Sequence, residues 1–221
     1  MILKDLTMAF IGDSITEGVG ATLSEFSFPS IFFKNTDIKK AINYGVSGTR
    51  IARQNKTFMD YHNWDNDFIA RVDTMEDDFD CIVVCGGIND YMHGDAELGF
   101  LGDCTEYTFY GALNVLIKKL KMKFPKAVLI FMTPIPFVED KSFEYAHINK
   151  GHYFYEYLDA IKAVCEYHSV ILFDLYSEIG IDSKNEDDRN RFYSDTIHLN
   201  DNGYSKIAEK LEIFLKNLTI E

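Results

Sequence analysis

Five short apolar runs, at residues 8–11, 41–44, 81–85, 128–132 and 170–173, alternate with longer segments of helical periodicity. That alternation restricts the chain more than any other feature, because short apolar runs bounded by turn formers read as buried strands. Between them, residues 105–124 put Phe109, Leu113, Leu116, Ile117 and Leu120 on one stripe that Pro125 ends, and residues 153–168 behave similarly. Residues 203–218 repeat Tyr204, Ile207, Ala208, Leu211, Phe214, Leu215 and Leu218 on one face behind Asn200, a candidate cap. Strands alternating with helices predict an α/β fold, a parallel sheet covered on both faces. With 221 residues, 47% of them hydrophobic, and no linker, charge block or repeat, one domain over residues 1–221 is expected.

In such sheets ligands bind beyond the carboxyl ends of the strands. The first three runs lead there into "GDS", "GVSGTR" and "GGIND", glycine-rich turns that carry hydroxyl, amide or carboxylate groups. The fourth and fifth runs lack such a turn. The fifth is instead followed by a long connection, from Leu175 to Asn200, against a median of about 4 to 6 residues. Near its end stands "DTIHLN", with Asp195 three residues before His198. A serine hydroxyl attacks only when a base takes its proton, and a carboxylate makes that base effective by fixing its tautomer. Ser14, His198 and Asp195 supply those types. The backbone N–H groups of Ser14 and Gly48 and the side-chain amide of Asn89 supply donors for a developing oxyanion. A flavodoxin-like strand order, 2-1-3-4-5, would bring Ser14, Gly48 and Asn89 together at the switch point. The long connection would then carry His198 back across roughly 14 Å of sheet top.

The blocks "GDSITEG", "NYGVSG", "GGIND" and "DTIHLN" resemble, in order, the four signature blocks of the SGNH hydrolases, the GDSL esterase/lipase family. The resemblance implies a three-layer α/β/α sandwich with Ser14 as nucleophile, His198 as base and Asp195 as its orienting acid. It also implies oxyanion donors at Ser14, Gly48 and Asn89. Ile15 replaces the leucine of the namesake motif and Ile88 stands where threonine is frequent, and neither change removes a catalytic group. Plainer readings stand beside these: Ser14-x-x-Glu17 fits a capping box, and Ser47-Gly48 and Asn89-Asp90 are ordinary turn formers.

The net charge of −13 disfavours nucleic acid and anionic membranes as partners, and neither a signal peptide nor a membrane span is visible, so a cytoplasmic location is expected. The four cysteines have no metal-site spacing and read as buried free thiols. A flavin or nucleotide site is disfavoured by Asp13 and Glu17 in the first turn, a catalytic zinc by the two-ligand Asp195–His198 pair. No cofactor or metal is implied. The expected partner is a small-molecule acyl ester, acetyl-like and carried on a soluble compound such as an O-acetylated sugar. Longer-chain lysophospholipase or thioesterase activity is the alternative, and a catalytically silent carbohydrate-binding protein is the rival from another class. Asp13, Tyr61, Trp64, Tyr91, His93 and Phe137 are the candidate substrate contacts.

Overall fold

The computed structural model describes residues 1–57, 62–76, 78–138 and 151–219. Five strands, β1 (Thr7–Gly12), β2 (Lys40–Gly45), β3 (Cys81–Cys85), β4 (Val128–Met132) and β5 (Ile171–Phe173), form one parallel sheet in the order β2-β1-β3-β4-β5. Each apolar run is a strand, within one residue at either end.

The period of two in a strand divides the side chains between two cores. Met8 and Phe10 of β1, Cys81, Val83 and Cys85 of β3, and Ile130 and Met132 of β4 face one layer. Ala9, Ile11, Ile82, Val84, Leu129 and Phe131 face the other. The first layer is built by α1 (Ser14–Glu17), α2 (Phe28–Asn35) and, closing the chain, the long helix Asp201–Asn217. The second is built by α3 (Phe68–Val72), α5 (Phe109–Lys123) and α6 (Phe154–Tyr167), with the short α4 (Ile88–His93) at its upper end. The result is the three-layer α/β/α sandwich with the expected strand order.

Helix α5 begins where Thr108 accepts a hydrogen bond from Gly111 N, and it stops at Phe124 because the residue before a proline disfavours the helical region. Its stripe of Phe109, Leu113, Leu116, Ile117 and Leu120 is buried, each leucine contributing roughly 1.5–3 kcal/mol by burial. The last helix starts at the Asn200 cap, whose Oδ1 accepts from Asn202 N and Gly203 N.

The connection after β5 is not one extended loop. It folds into α7 (Leu175–Glu178) and α8 (Glu186–Phe192), which makes the closing helix α9 (Asp201–Asn217). Asn185 caps α8 and acidic residues fill its first turn, so a polar segment forms a surface helix with little apolar patterning. Cys81, Cys85 and Cys165 are buried thiols, and burial pushes Cys81 and Cys165 up to about 12; Cys104, by contrast, is exposed. Among the described residues, no helix is long and apolar enough to cross a membrane.

Candidate active site

At the carboxyl end of β1 the chain turns directly into α1. The expected capping box is not what starts this helix. Asp13 is the N-cap, its Oδ1 accepting from Ile15 N at 3.0 Å, and Ser14 occupies the first helical position. There its N–H has no intrahelical acceptor. Glu17 does not reach back to the cap either, since its carboxylate accepts from Ser47 N at 2.6 Å and holds the loop after β2 against α1. Gly18 ends the helix at φ 98°, a left-handed conformation that glycine adopts without steric cost.

His198 returns to this point from the far side of the sheet. Its Nε2 lies 3.0 Å from Ser14 Oγ, and its Nδ1 lies 2.7 Å from Asp195 Oδ2. The other Asp195 oxygen accepts the backbone N–H groups of Ile197 and His198, at 2.7 and 2.6 Å, so one carboxylate shapes the turn and meets the ring. Partial burial pushes that carboxyl up, but the N–H donors and the imidazole outweigh it and hold Asp195 below the usual carboxylate range. Because the carboxylate only accepts, Nδ1 carries the proton and Nε2 presents a lone pair to Ser14. The Tyr193–Leu199 bridge, Ser194 N bonded to His198 O, and Val138 N bonded to Thr196 O fix the loop.

The loops after β2 and β3 close the other side. Gly48 has φ 74°, and a Cβ there would run into the Trp64 indole. Asn89, in the first turn of α4, donates from Nδ2 to Thr49 O at 3.0 Å, while its Oδ1 lies 3.1 Å from His93 Nε2. Asp90, beside it, accepts from Ile51 N and Ala52 N and so ties the two loops together. Burial pushes its carboxyl up to about 7, against the pull of those N–H groups and of Arg50. Arg71 donates to Gly12 O and Thr49 Oγ1, both at 3.0 Å, and also to Tyr44 O, bracing the ends of β1 and β2.

Together these elements border an open-mouthed cavity of about 290 Å³ lined by Ser14, Gly48, Asn89, Asp195 and His198. Trp64, Met92 and Ile197 add apolar wall, and His93 lies under Trp64 with ring centroids 4.3 Å apart. Of the candidate substrate contacts, Trp64 and His93 border this cavity. Asp13 does not: it is buried beneath the turn as the α1 cap, and burial pushes it up to about 6 against the Ile15 N–H, His198 and Arg71. Tyr91 and Phe137 also point elsewhere, into an aromatic cluster with Phe154, because α6 covers that side of α4. Tyr61 lies outside the described residues. Ser47, Met92, Thr196 and Ile197, which also line the cavity, and Arg50, Arg71 and Asp90, which brace it, were not among the expected site residues; Ser47 and Asp90 were expected only as turn formers. Most of them sit inside or beside the quoted blocks, and that adjacency was the available signal.

A sequence profile of the GDSL-like lipase/acylhydrolase family matches residues 10–206. Among curated proteins, no sequence matches this chain. A solved structure from Lactobacillus plantarum superposes with a TM-score of 0.82 at 29% identity, over 98% of this chain and 99% of that one. A member of the lipolytic protein G-D-S-L family from Veillonella parvula superposes at 0.62 with 18% identity, over 96% and 99% of the two chains. A two-domain esterase active on acetylated mannans does so at 0.62 with 18% identity, over 98% of this chain and 50% of that one.

Proposed function

The chain belongs to the GDSL-like lipase/acylhydrolase family, and from that premise we propose that it is a serine esterase that removes small, acetyl-like acyl groups, O-acetylated carbohydrates being the favoured substrate class. The observation that carries this reading is the Ser14–His198–Asp195 chain, with contacts of 3.0 and 2.7 Å, at the wall of the cavity. Ser14 Oγ attacks the ester carbonyl as its proton passes to His198 Nε2, and Asp195 stabilises the imidazolium that forms. The tetrahedral oxyanion is met by the N–H groups of Ser14 and Gly48 and by Asn89 Nδ2. Its collapse expels the alcohol, which takes the proton from His198, and leaves an acyl-Ser14 ester. Water, deprotonated by His198, hydrolyses that ester, and Ser14 leaves with the proton.

The preference for small acyl groups is supported by the cavity, whose volume of about 290 Å³ lies at the lower edge of the roughly 300–1,000 Å³ typical of ligand sites. The fold is shared with an esterase active on acetylated mannans. A chain-length series of chromogenic esters, run beside acetylated sugars and a lysophospholipid, tests the reading. Turnover should be fastest from acetate to butyrate. A maximum at about ten carbons or more would replace it with a long-chain acylhydrolase, and complete inactivity would favour a binding protein.

A further inference from the structure

An asparagine serves as an oxyanion donor only if its nitrogen faces the cleft. The two ends of the amide are nearly the same shape, and a half-turn about the last torsion would present Oδ1 to the developing charge. Thr49 O receives one N–H of Asn89, and the other end is held by His93, one helical turn further along α4. A histidine nitrogen donates or accepts according to its tautomer, and here its second nitrogen decides. His93 Nδ1 lies 3.1 Å from Nη1 of Arg50, and a guanidinium has only donors. Nδ1 therefore accepts, the proton sits on Nε2, and Nε2 donates to Asn89 Oδ1.

Arg50 is well held for this task. Its side chain is 1% exposed, and its Nη2 is paired with Asp65 at 3.0 Å. Asp90 and Asp95 add to the negative field around it. Burial, and secondarily the charge of Arg50, push the His93 imidazole down to about 3, which removes the imidazolium as a competing donor form at neutral pH. Trp64 stacks on the ring, and both side chains border the cavity.

We propose that His93 is a positioning residue: Arg50 holds it as the neutral Nε2–H tautomer, and it locks the Asn89 amide with nitrogen toward the cleft. The assignment rests on the esterase reading above, and it replaces the expectation that His93 contacts substrate. Loss of this lock leaves the triad intact and disorders one oxyanion donor.

Two variants separate the lock from general packing. A glutamine can accept from Arg50 through its oxygen and donate to Asn89 through its nitrogen, whereas a leucine fills similar space and does neither. His93→Leu should lose kcat on the order of 10²-fold, approaching the loss of a whole donor, with KM changed by no more than about threefold. His93→Gln should stay within about tenfold of wild type. In an Asn89→Ala background, His93→Leu should add nothing. Equal losses for Leu and Gln, or losses that multiply with Asn89→Ala, overturn the proposal. Independently, ¹⁵N NMR of the ring in the Ser14→Ala protein, which needs no turnover, should show protonated Nε2 and bare Nδ1, unchanged from about pH 5 to 8. An active wild type with an Nδ1–H or titrating His93 sinks this assignment alone. An inactive wild type with the Nε2–H ring sinks the esterase reading and, with it, the role in turnover.

Discussion

Asn89 allows the oxyanion role and a purely structural role to be told apart by the order of two substitutions. Its Nδ2 and Oδ1 bond to Thr49 O and His93, so Asn89→Ala removes two hydrogen bonds, each worth about 0.5–1.5 kcal/mol net, and should lower unfolding stability by about 1–3 kcal/mol. Loss of a donor to the tetrahedral oxyanion typically costs about 10²–10³ in kcat, equivalent to about 2.7–4 kcal/mol of barrier, with little change in KM. Aspartate in place of Asn89 is nearly isosteric and keeps an acceptor for His93, but its second oxygen faces Thr49 O, where Nδ2 donates, so the variant loses stability whatever the role. A role confined to the turn therefore leaves Asp and Ala with similar turnover per folded molecule. In the oxyanion role the carboxylate faces the charge being formed, and two unit charges about 4 Å apart repel by about 4 kcal/mol at an effective dielectric constant near 20. Asn89→Asp should then be slower than Asn89→Ala by a further factor of order 10² or more. The assay is steady-state hydrolysis of a chromogenic acetyl ester, normalised to folded protein and run well below each variant's midpoint from a thermal melt. A kcat for Asn89→Ala within about tenfold of wild type, or an Asn89→Asp as fast as Asn89→Ala or faster, refutes the reasoning.

Ser14→Ala and His198→Ala should each reduce kcat by about 10⁴ or more, and the double variant should lose less than about tenfold beyond either, because one proton transfer uses both groups; losses that multiply would show independent roles. Stability should depend on pH through His93 with a definite sign. Its folded pKa of about 3 lies below the unfolded value near 6.5, so its contribution is complete above pH 6.5 and is lost as pH falls toward 3. In urea unfolding between about pH 6 and 4, wild type should lose about 1.4 kcal/mol per unit relative to His93→Gln, and parallel curves would contradict a buried neutral ring. Asp90, raised from 3.8 to about 7, has the opposite sign: its contribution is present below about pH 4 and lost as pH rises toward 7. Wild type should accordingly decline relative to Asp90→Asn over that interval, and a flat difference would refute it.

Strands β1, β3 and β4 were legible because each is a short apolar run buried on both faces, as Cys81–Cys85 is throughout. Even the partly exposed edge strand β2 retained its apolar centre in Ala41 and Ile42. Helices α5, α6 and α9 were legible from their stripes. The short helices α3, α7 and α8 escaped because four to seven residues give too few turns for a period to register. At the site, the residues of the Ser14–His198–Asp195 chain could be named from motif order and strand ends alone. Which way Asn89 faces could not, since that depends on Arg50, 43 residues before His93 and brought to it only by the pairing of the β2 and β3 loops. Aromatic type was no guide to position: Trp64 reached the cavity, while Tyr91 turned into the core against α6.

The capping motif misled for a reason that bears on the chemistry. A serine at the N-cap directs its hydroxyl to a backbone N–H of its own helix, and that geometry would compete with the bond to His198. Asp13 takes the cap instead, through Oδ1 and Ile15 N, which moves Ser14 one position inward and leaves Oγ to face His198 Nε2. The same shift releases Glu17 from the box, and its carboxylate now anchors Ser47, the neighbour of Gly48. The aspartate of "GDS" therefore shapes the site without lining the cavity. It allows one tight turn to present a hydroxyl and a backbone N–H and, through Glu17, to hold the Gly48 loop at the same strand end.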